Sequence, residues 1–154
     1  MIVDRTSATG SSGDAAGDTF ETIEAFQLME FDDDRFVGSD DAETVYGGGG
    51  NDTLIGNGGD DVLNGEEQDD ILTVGAGADT FAFSGWEFGK DIVTAFRSGD
   101  LIVFSTPAFS DLSAVQAHLS QVGADAVITL DADDTATFQD VVAASLKAAD
   151  LHFV

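Results

Sequence analysis

Gly47-Gly-Gly-Gly-Asn-Asp52-Thr-Leu54-Ile, Gly56-Asn-Gly-Gly-Asp-Asp61-Val-Leu63-Asn, Gly65-Glu-Glu-Gln-Asp-Asp70-Ile-Leu72-Thr, Val74-Gly-Ala-Gly-Ala-Asp79-Thr-Phe81-Ala: written in nines, this stretch puts Asp at position six and a large apolar residue at position eight every time. Extended backwards, Gly38-Ser-Asp-Asp-Ala-Glu43-Thr-Val45-Tyr and Met29-Glu-Phe-Asp-Asp-Asp34-Arg-Phe36-Val keep an acid and an apolar residue at the same two places. A fixed short period is the mark of a repeat architecture. The glycines allow φ > 0 in a tight turn, where a Cβ would clash, and Asn57 is a tolerable replacement. After each turn, the three residues around position eight form a short strand whose middle side chain points inward. Two turn-strand units then make one coil, so loops on one edge recur every 18 residues and stack about 4.7–4.9 Å apart. The predicted inward stack is Phe36, Val45, Leu54, Leu63, Leu72 and Phe81.

Such stacking puts Asp34, Asp52 and Asp70 on one edge and Glu43, Asp61 and Asp79 on the other. Between Glu30 and Asp70 there are fourteen acids and a single Arg, Arg35. Two carboxylates about 5 Å apart repel by roughly 3 kcal/mol at an effective dielectric near 20, and several such pairs rival the whole stability of a domain. The roll therefore requires a cation. Carboxylates and backbone carbonyls without a nearby His or Cys select a hard cation, and flexible many-ligand glycine turns favour Ca²⁺ over Mg²⁺.

Composition agrees. The chain of 154 residues carries Lys+Arg 5 against Asp+Glu 30, a net charge of −25, which repels nucleic acid and anionic membranes. Hydrophobic content of 43% is ample for a core, so this is not a disordered acidic tail. Cys is absent, which excludes disulfides and thiolate metal sites. Met1-Ile2-Val3 is too short for a signal-peptide core, and no run reaches membrane-spanning length, so no membrane insertion is expected.

The nonapeptides resemble the Gly-Gly-x-Gly-x-Asp-x-apolar-x repeats of RTX proteins, most specifically at residues 47–82. Gly75 to Phe83, Gly89 to Phe96 and Ser98 to Phe104 are similar to the segment that closes the roll in serralysin-type C-terminal regions. The resemblance implies a mainly β fold, a right-handed parallel β-roll, with several Ca²⁺ ions bound between successive loops of each edge. Carried over residue by residue, it implies one site from Gly48, Gly50, Asp52, Gly65, Glu67 and Asp70, and an opposite one from Asn57, Gly59, Asp61, Val74, Ala76 and Asp79. Two earlier sites would use Glu30, Asp32, Asp34, Gly47, Gly49 and Asp52, and Ser39, Asp41, Glu43, Gly56, Gly58 and Asp61. The third repeat departs from the pattern, with Glu66 and Gln68 where glycines are expected: either backbone strain is absorbed there or that loop binds more weakly. Ala95 replaces an acid common in the family, while Glu87 and Asp91 are placed to cap the last loops.

Around the roll, residues 1–18 read as a linker or poorly ordered N-terminal edge, 19–105 as the roll beginning with a strand near 19–28, and 106–154 as a C-terminal α+β cap and secretion-signal region. In the cap, 110–122 predicts an amphipathic helix capped by Ser110 or Asp111, with Leu112, Val115, Leu119 and Val122 on one face and Gly123 as terminator. Ala126 to Leu130 and Thr135 to Phe138 predict a hairpin. Its turn, Asp131-Ala-Asp-Asp134, imitates the start of an EF-hand, but Ala136 and Val142 stand where that loop needs glycine and a bidentate acid. Asp150-Leu-His-Phe-Val154 resembles the tails of type I secreted proteins. With the repeats, it implies a secreted, extracellular module exported by the type I secretion machinery and folded outside on Ca²⁺. No catalytic motif is present: only His118 and His152 are available, and Gly89-Lys90 is followed by Asp91 rather than a phosphate-loop Ser or Thr. The alternative is a calcium-dependent polysaccharide-binding or adhesive module, with Tyr46 and Trp86 as stacking aromatics.

Overall fold

A computed structural model describes residues 1–5, 23–28, 31–85, 87–105, 109 and 111–154. Glu30, Trp86, Ser110, residues 6–18 of the expected linker and residues 19–22 of the expected strand lie outside the described residues.

The short strands form where the nine-residue frame puts them: β3 (Arg35–Val37), β4 (Thr44–Gly49), β5 (Thr53–Ile55), β6 (Val62–Glu67), β7 (Ile71–Thr73) and β8 (Thr80–Ser84). β1 (Ile2–Asp4) and β2 (Ala25–Gln27) precede them, and β9 (Lys90–Thr94) and β10 (Leu101–Ser105) follow. The cap holds α1 (Leu112–His118), β11 (Leu119–Val122), β12 (Asp125–Thr129), β13 (Thr135–Phe138) and β14 (Leu151–Phe153). Alternate strands fall into two sheets, ordered β1-β3-β5-β7-β9-β13-β12-β11 and β14-β10-β8-β6-β4-β2. Every pairing within the roll is parallel, giving a solenoid of about four turns.

Between the sheets run two apolar columns. One follows the register Val3, Phe36, Leu54, Leu72, Val93, Phe138; the other Phe26, Val45, Leu63, Phe81, Ile102, Leu151. All belong to one buried core, and the six residues of the predicted inward stack are fully enclosed. A three-residue strand with one inward side chain has no stability by itself; stacking coil upon coil removes that side chain from water on every side. At the C-terminal end the column broadens into packed aromatic rings: Phe83 lies 5.3 Å from Phe104 and 5.4 Å from Phe88, and Phe96 lies 5.5 Å from Phe138.

Three sequence expectations are corrected. Ile2–Asp4, placed in a linker, is a strand paired in parallel with β3, with Val3 in the core. One inward apolar residue between two partly exposed ones is all that a rung of this roll requires. The helix expected over 110–122 ends at His118, capped by Asp111, whose carboxylate accepts the Ala114 N–H at 2.9 Å. Residues 119–122 instead form a strand antiparallel to β12, and Gly123, at φ 65°, serves the turn of that hairpin rather than a helix end. Val122 is accordingly exposed instead of facing the core.

The departures in the third repeat are absorbed as strain. Glu66 and Gln68 adopt φ 75° and 78°, matching in sign Gly48 and Gly50 of the preceding loop on that edge, at φ 102° and 120°. The left-handed region costs a residue with a Cβ about 1–2 kcal/mol. Gln68→Gly is therefore expected to stabilise the folded domain by about 1 kcal/mol, raising its thermal midpoint by about 3 °C in a calorimetric scan.

Candidate metal sites along the loop edges

The loops of the first edge lead from the second sheet to the first, those of the second edge back again. On each edge the position-six acids form a continuous hydrogen-bonded column. The Asp34 N–H donates to Asp52 Oδ1 at 2.7 Å, Asp52 N–H to Asp70 Oδ1 at 2.8 Å, and Asp70 N–H to Asp91 Oδ1 at 3.0 Å. Opposite, Glu43 N–H donates to Asp61 Oδ1 at 2.9 Å, Asp61 N–H to Asp79 Oδ1 at 3.0 Å, and Asp79 N–H to Asp100 Oδ1 at 3.2 Å. All eight acids are buried. One carboxylate oxygen is thus spent on the fold, leaving the other.

That second oxygen has no protein partner in Asp52, Asp61 and Asp70. A buried carboxylate oxygen without a donor is costly. Position-one glycines make the space for it: a Cβ added to Gly56 would overlap Asp61 Oδ2, one on Gly65 would overlap Asp70 Oδ2, and one on Gly47 would crowd both Asp52 Oδ2 and the Gly65 carbonyl. The space beside Gly47 is therefore lined by acceptors. Among the described residues no three carboxylates or imidazoles converge on one point, so an ion here must draw on main-chain carbonyls as well. Carboxylate and carbonyl oxygen is the donor set of a hard divalent cation.

The carboxyls show the electrostatic consequence. Burial, reinforced by neighbouring acids, pushes Asp52 up to about 6, Asp61 to about 7, Asp70 to about 8 and Asp91 to about 9, from an ordinary value of 3.8. The column N–H bonds oppose these shifts without cancelling them.

The other residues of the expected sites fall on the same edges, with particular engagements. Gly48 and Gly49 pair with Glu66 and Glu67 in the parallel ladder of β4 and β6, so Gly48, Gly49, Gly50, Gly65 and Glu67 lie in stacked first-edge loops. On the second edge Asn57 O accepts the Ala76 N–H at 2.7 Å and Ser39 O accepts the Gly58 N–H at 2.9 Å, leaving each carbonyl one lone pair for an ion. Gly56, Gly59 and Val74 lie in these loops as well. Toward the N-terminal end Arg5 pairs with Glu43 and also approaches Asp41 at 3.9 Å. Asp32 lies in the first-edge loop leading to Asp34.

Two features escaped the sequence reading. Position five carries its own column, running the opposite way: Asp33 Oδ1 accepts the Asn51 N–H at 2.8 Å, Asn51 Oδ1 accepts the Asp69 N–H at 3.3 Å, and Asp69 Oδ1 accepts the Lys90 N–H at 2.9 Å, while Asp60 Oδ1 takes the Ala78 N–H at 2.8 Å. Asn51, Asp60 and Asp69 stand nine apart, and that was the available signal. Asp91, read only as a cap, and Asp100, not singled out, continue the position-six columns. Asp91-Ile-Val93 and Asp100-Leu-Ile102 repeat the Asp-x-apolar spacing, but Asp91 follows Asp79 by twelve residues rather than nine, which shifts the phase.

Comparison with known proteins gives the class. Residues 31–54 and 46–81 match the family described as RTX calcium-binding nonapeptide repeat (4 copies). The R2 subunit of the AlgE6 mannuronan C5-epimerase from Azotobacter vinelandii, known as a solution structure, is similar at 30% identity and a TM-score of 0.66, with 84% of this chain and 91% of that chain covered. Extracellular lipase LipA from Serratia marcescens shares the fold at 23% identity and a TM-score of 0.64, covering 96% of this chain; the chain spans only 23% of the lipase. A search of curated proteins found no match. The chain belongs to the RTX calcium-binding repeat family, whose repeats imply Ca²⁺.

Proposed function

We propose that this chain is a module of a secreted protein that remains unfolded without Ca²⁺ and closes into the roll when ions load between successive loops. The reading rests on the unpartnered, buried Oδ2 atoms of Asp52, Asp61 and Asp70. One slot would use Gly48, Gly50, Asp52, Gly65, Glu67 and Asp70; its opposite would use Asn57, Gly59, Asp61, Val74, Ala76 and Asp79. The slots toward the N-terminal end would add Asp32, Asp34, Gly47 and Gly49 on one edge, and Ser39, Asp41, Glu43, Gly56 and Gly58 on the other. A site at one hundred times its dissociation constant contributes about 2.7 kcal/mol, so four would contribute about 11, enough to switch a domain from unfolded to folded. Export by the type I machinery fits this switch, because the chain would travel unfolded and meet abundant Ca²⁺ outside. Its tail would then dock as β14 on β10, the last rung of the second sheet.

We assign no catalytic residue. His118 is exposed, its Nδ1 lies 2.7 Å from the Ala114 carbonyl oxygen and its ring meets Phe109 edge-on, while His152 is exposed on β14. No helix among the described residues is long and apolar enough to cross a membrane. The polysaccharide reading takes second place. The groove beside β4 and β6 carries Phe31, but also Glu66, Glu67 and Glu87, a poor lining for a polyuronate.

Far-UV circular dichroism tests the main reading. At neutral pH, chelator is expected to abolish the β signal and millimolar Ca²⁺ to restore it. A fully structured spectrum in chelator overturns the proposal.

A further inference from the structure

The two carboxylate columns do not end alike. On the second edge, the last slot lies between the loop ending at Asp79 and the loop ending at Asp100, and a side chain of the protein already reaches into it. Arg97 Nη2 donates to the Gly77 carbonyl at 3.1 Å and to Asp79 Oδ2 at 3.4 Å, and Arg97 Nε lies 4.0 Å from Asp100 Oδ1. The main-chain N–H of Arg97 donates to Asp100 Oδ2 at 2.8 Å, fixing the stem of the side chain on the acid that closes the slot. One guanidinium thus meets the kinds of oxygen a metal ion would collect there: a carbonyl and a carboxylate of one loop, and a carboxylate of the next.

The contrast within the molecule carries the argument. Asp52, Asp61 and Asp70 each keep a buried Oδ2 with no partner, whereas Asp79 Oδ2 has Arg97. At the opposite end of the same edge, Arg5, with its side chain almost wholly buried, pairs with Glu43. A guanidinium cannot lose its proton in a protein, and its fixed fork of donors suits several oxygens at once.

We infer that Arg97 is a tethered counter-ion that takes the place of a metal in the terminal slot of the second edge, so that Ca²⁺ loading on this edge stops at Asp79. The effective concentration of a tethered charge does not depend on ionic Ca²⁺, so one of this slot's two carboxylate charges is compensated even when the other slots are empty. The inference rests on the calcium reading of the inner slots.

Two measurements on the full chain test it. In crystals of the wild-type protein saturated with Ca²⁺, anomalous difference density is expected between the loops ending at Asp61 and Asp79, and none between those ending at Asp79 and Asp100. Native mass spectrometry in Ca²⁺ is expected to count one more ion in Arg97→Ala than in wild type. Density in the terminal slot of the wild type, or an unchanged count in a folded Arg97→Ala, overturns the inference while leaving the calcium reading intact. Density in no slot overturns both. Where Arg97→Ala does not fold, the wild-type map decides alone.

Discussion

In chelator, lowering the pH from about 8 to about 5 is expected to raise the β-sheet content of this chain, and in saturating Ca²⁺ the same change is expected to lower its thermal midpoint. The sign follows from the buried columns. Asp52, Asp61, Asp70 and Asp91 have folded-state values raised to about 6, 7, 8 and 9, against 3.8 for the ordinary carboxyl. A group raised on folding contributes its full stability below the unfolded value, near pH 4, and loses it as pH climbs through the folded value, here between about 6 and 9. Protons therefore substitute for the missing metal. Ca²⁺ inverts the dependence because it binds ionised carboxylates, so protons compete with it and acid weakens the loaded roll. Circular dichroism in chelator and melts in Ca²⁺ across this pH range read the two arms. A β signal that fails to rise with acid in chelator refutes the assignment of these carboxyls as the obstacle to folding.

What could be read from the chain before its structure follows from which forces are local. The nine-residue spacing of Asp and apolar residue placed the strands β3 to β8, the inward stack from Phe36 to Phe81 and the division of acids between two edges, because each rung repeats the same turn and the same one-sided strand. The roll continues past Phe81, but the three extra residues between rungs break the phase, and Asp91 and Asp100 dropped out of the columns they complete. Ile2–Asp4 adjoins a Ser-, Thr- and Gly-rich stretch that reads as linker, and becomes a strand only because β3 supplies its partner. Residues 119–122 satisfied a helical spacing, yet the ladder to β12 outweighed it. Arg97 falls in none of the sequence motifs; only the fold brings it against Gly77 and Asp79.

Asp52→Asn is expected to change the stability of the domain in opposite directions with and without Ca²⁺. Asp52 stands in the middle of the first-edge column and belongs to two proposed slots, one with Asp34 and one with Asp70. Asparagine keeps the shape and the Oδ1 that accepts the Asp34 N–H at 2.7 Å, but replaces the unpartnered Oδ2 by an NH₂ group. The Gly65 carbonyl lies beside the same space, so the substitution puts a donor where two acceptors border one site and removes a buried negative charge. In chelator the variant is expected to gain about 1–3 kcal/mol over wild type. In Ca²⁺ it lacks an anionic ligand in both slots, and at about 2.7 kcal/mol for each site loaded at one hundred times its dissociation constant, the loss reaches about 5 kcal/mol. Urea unfolding in Ca²⁺ measures the loss, and the concentration of trimethylamine N-oxide needed to fold variant and wild type in chelator measures the gain. A change of the same sign in chelator and in Ca²⁺ contradicts the role given to Asp52, because a residue that only closes the hydrogen-bonded column would respond alike whether or not metal is present.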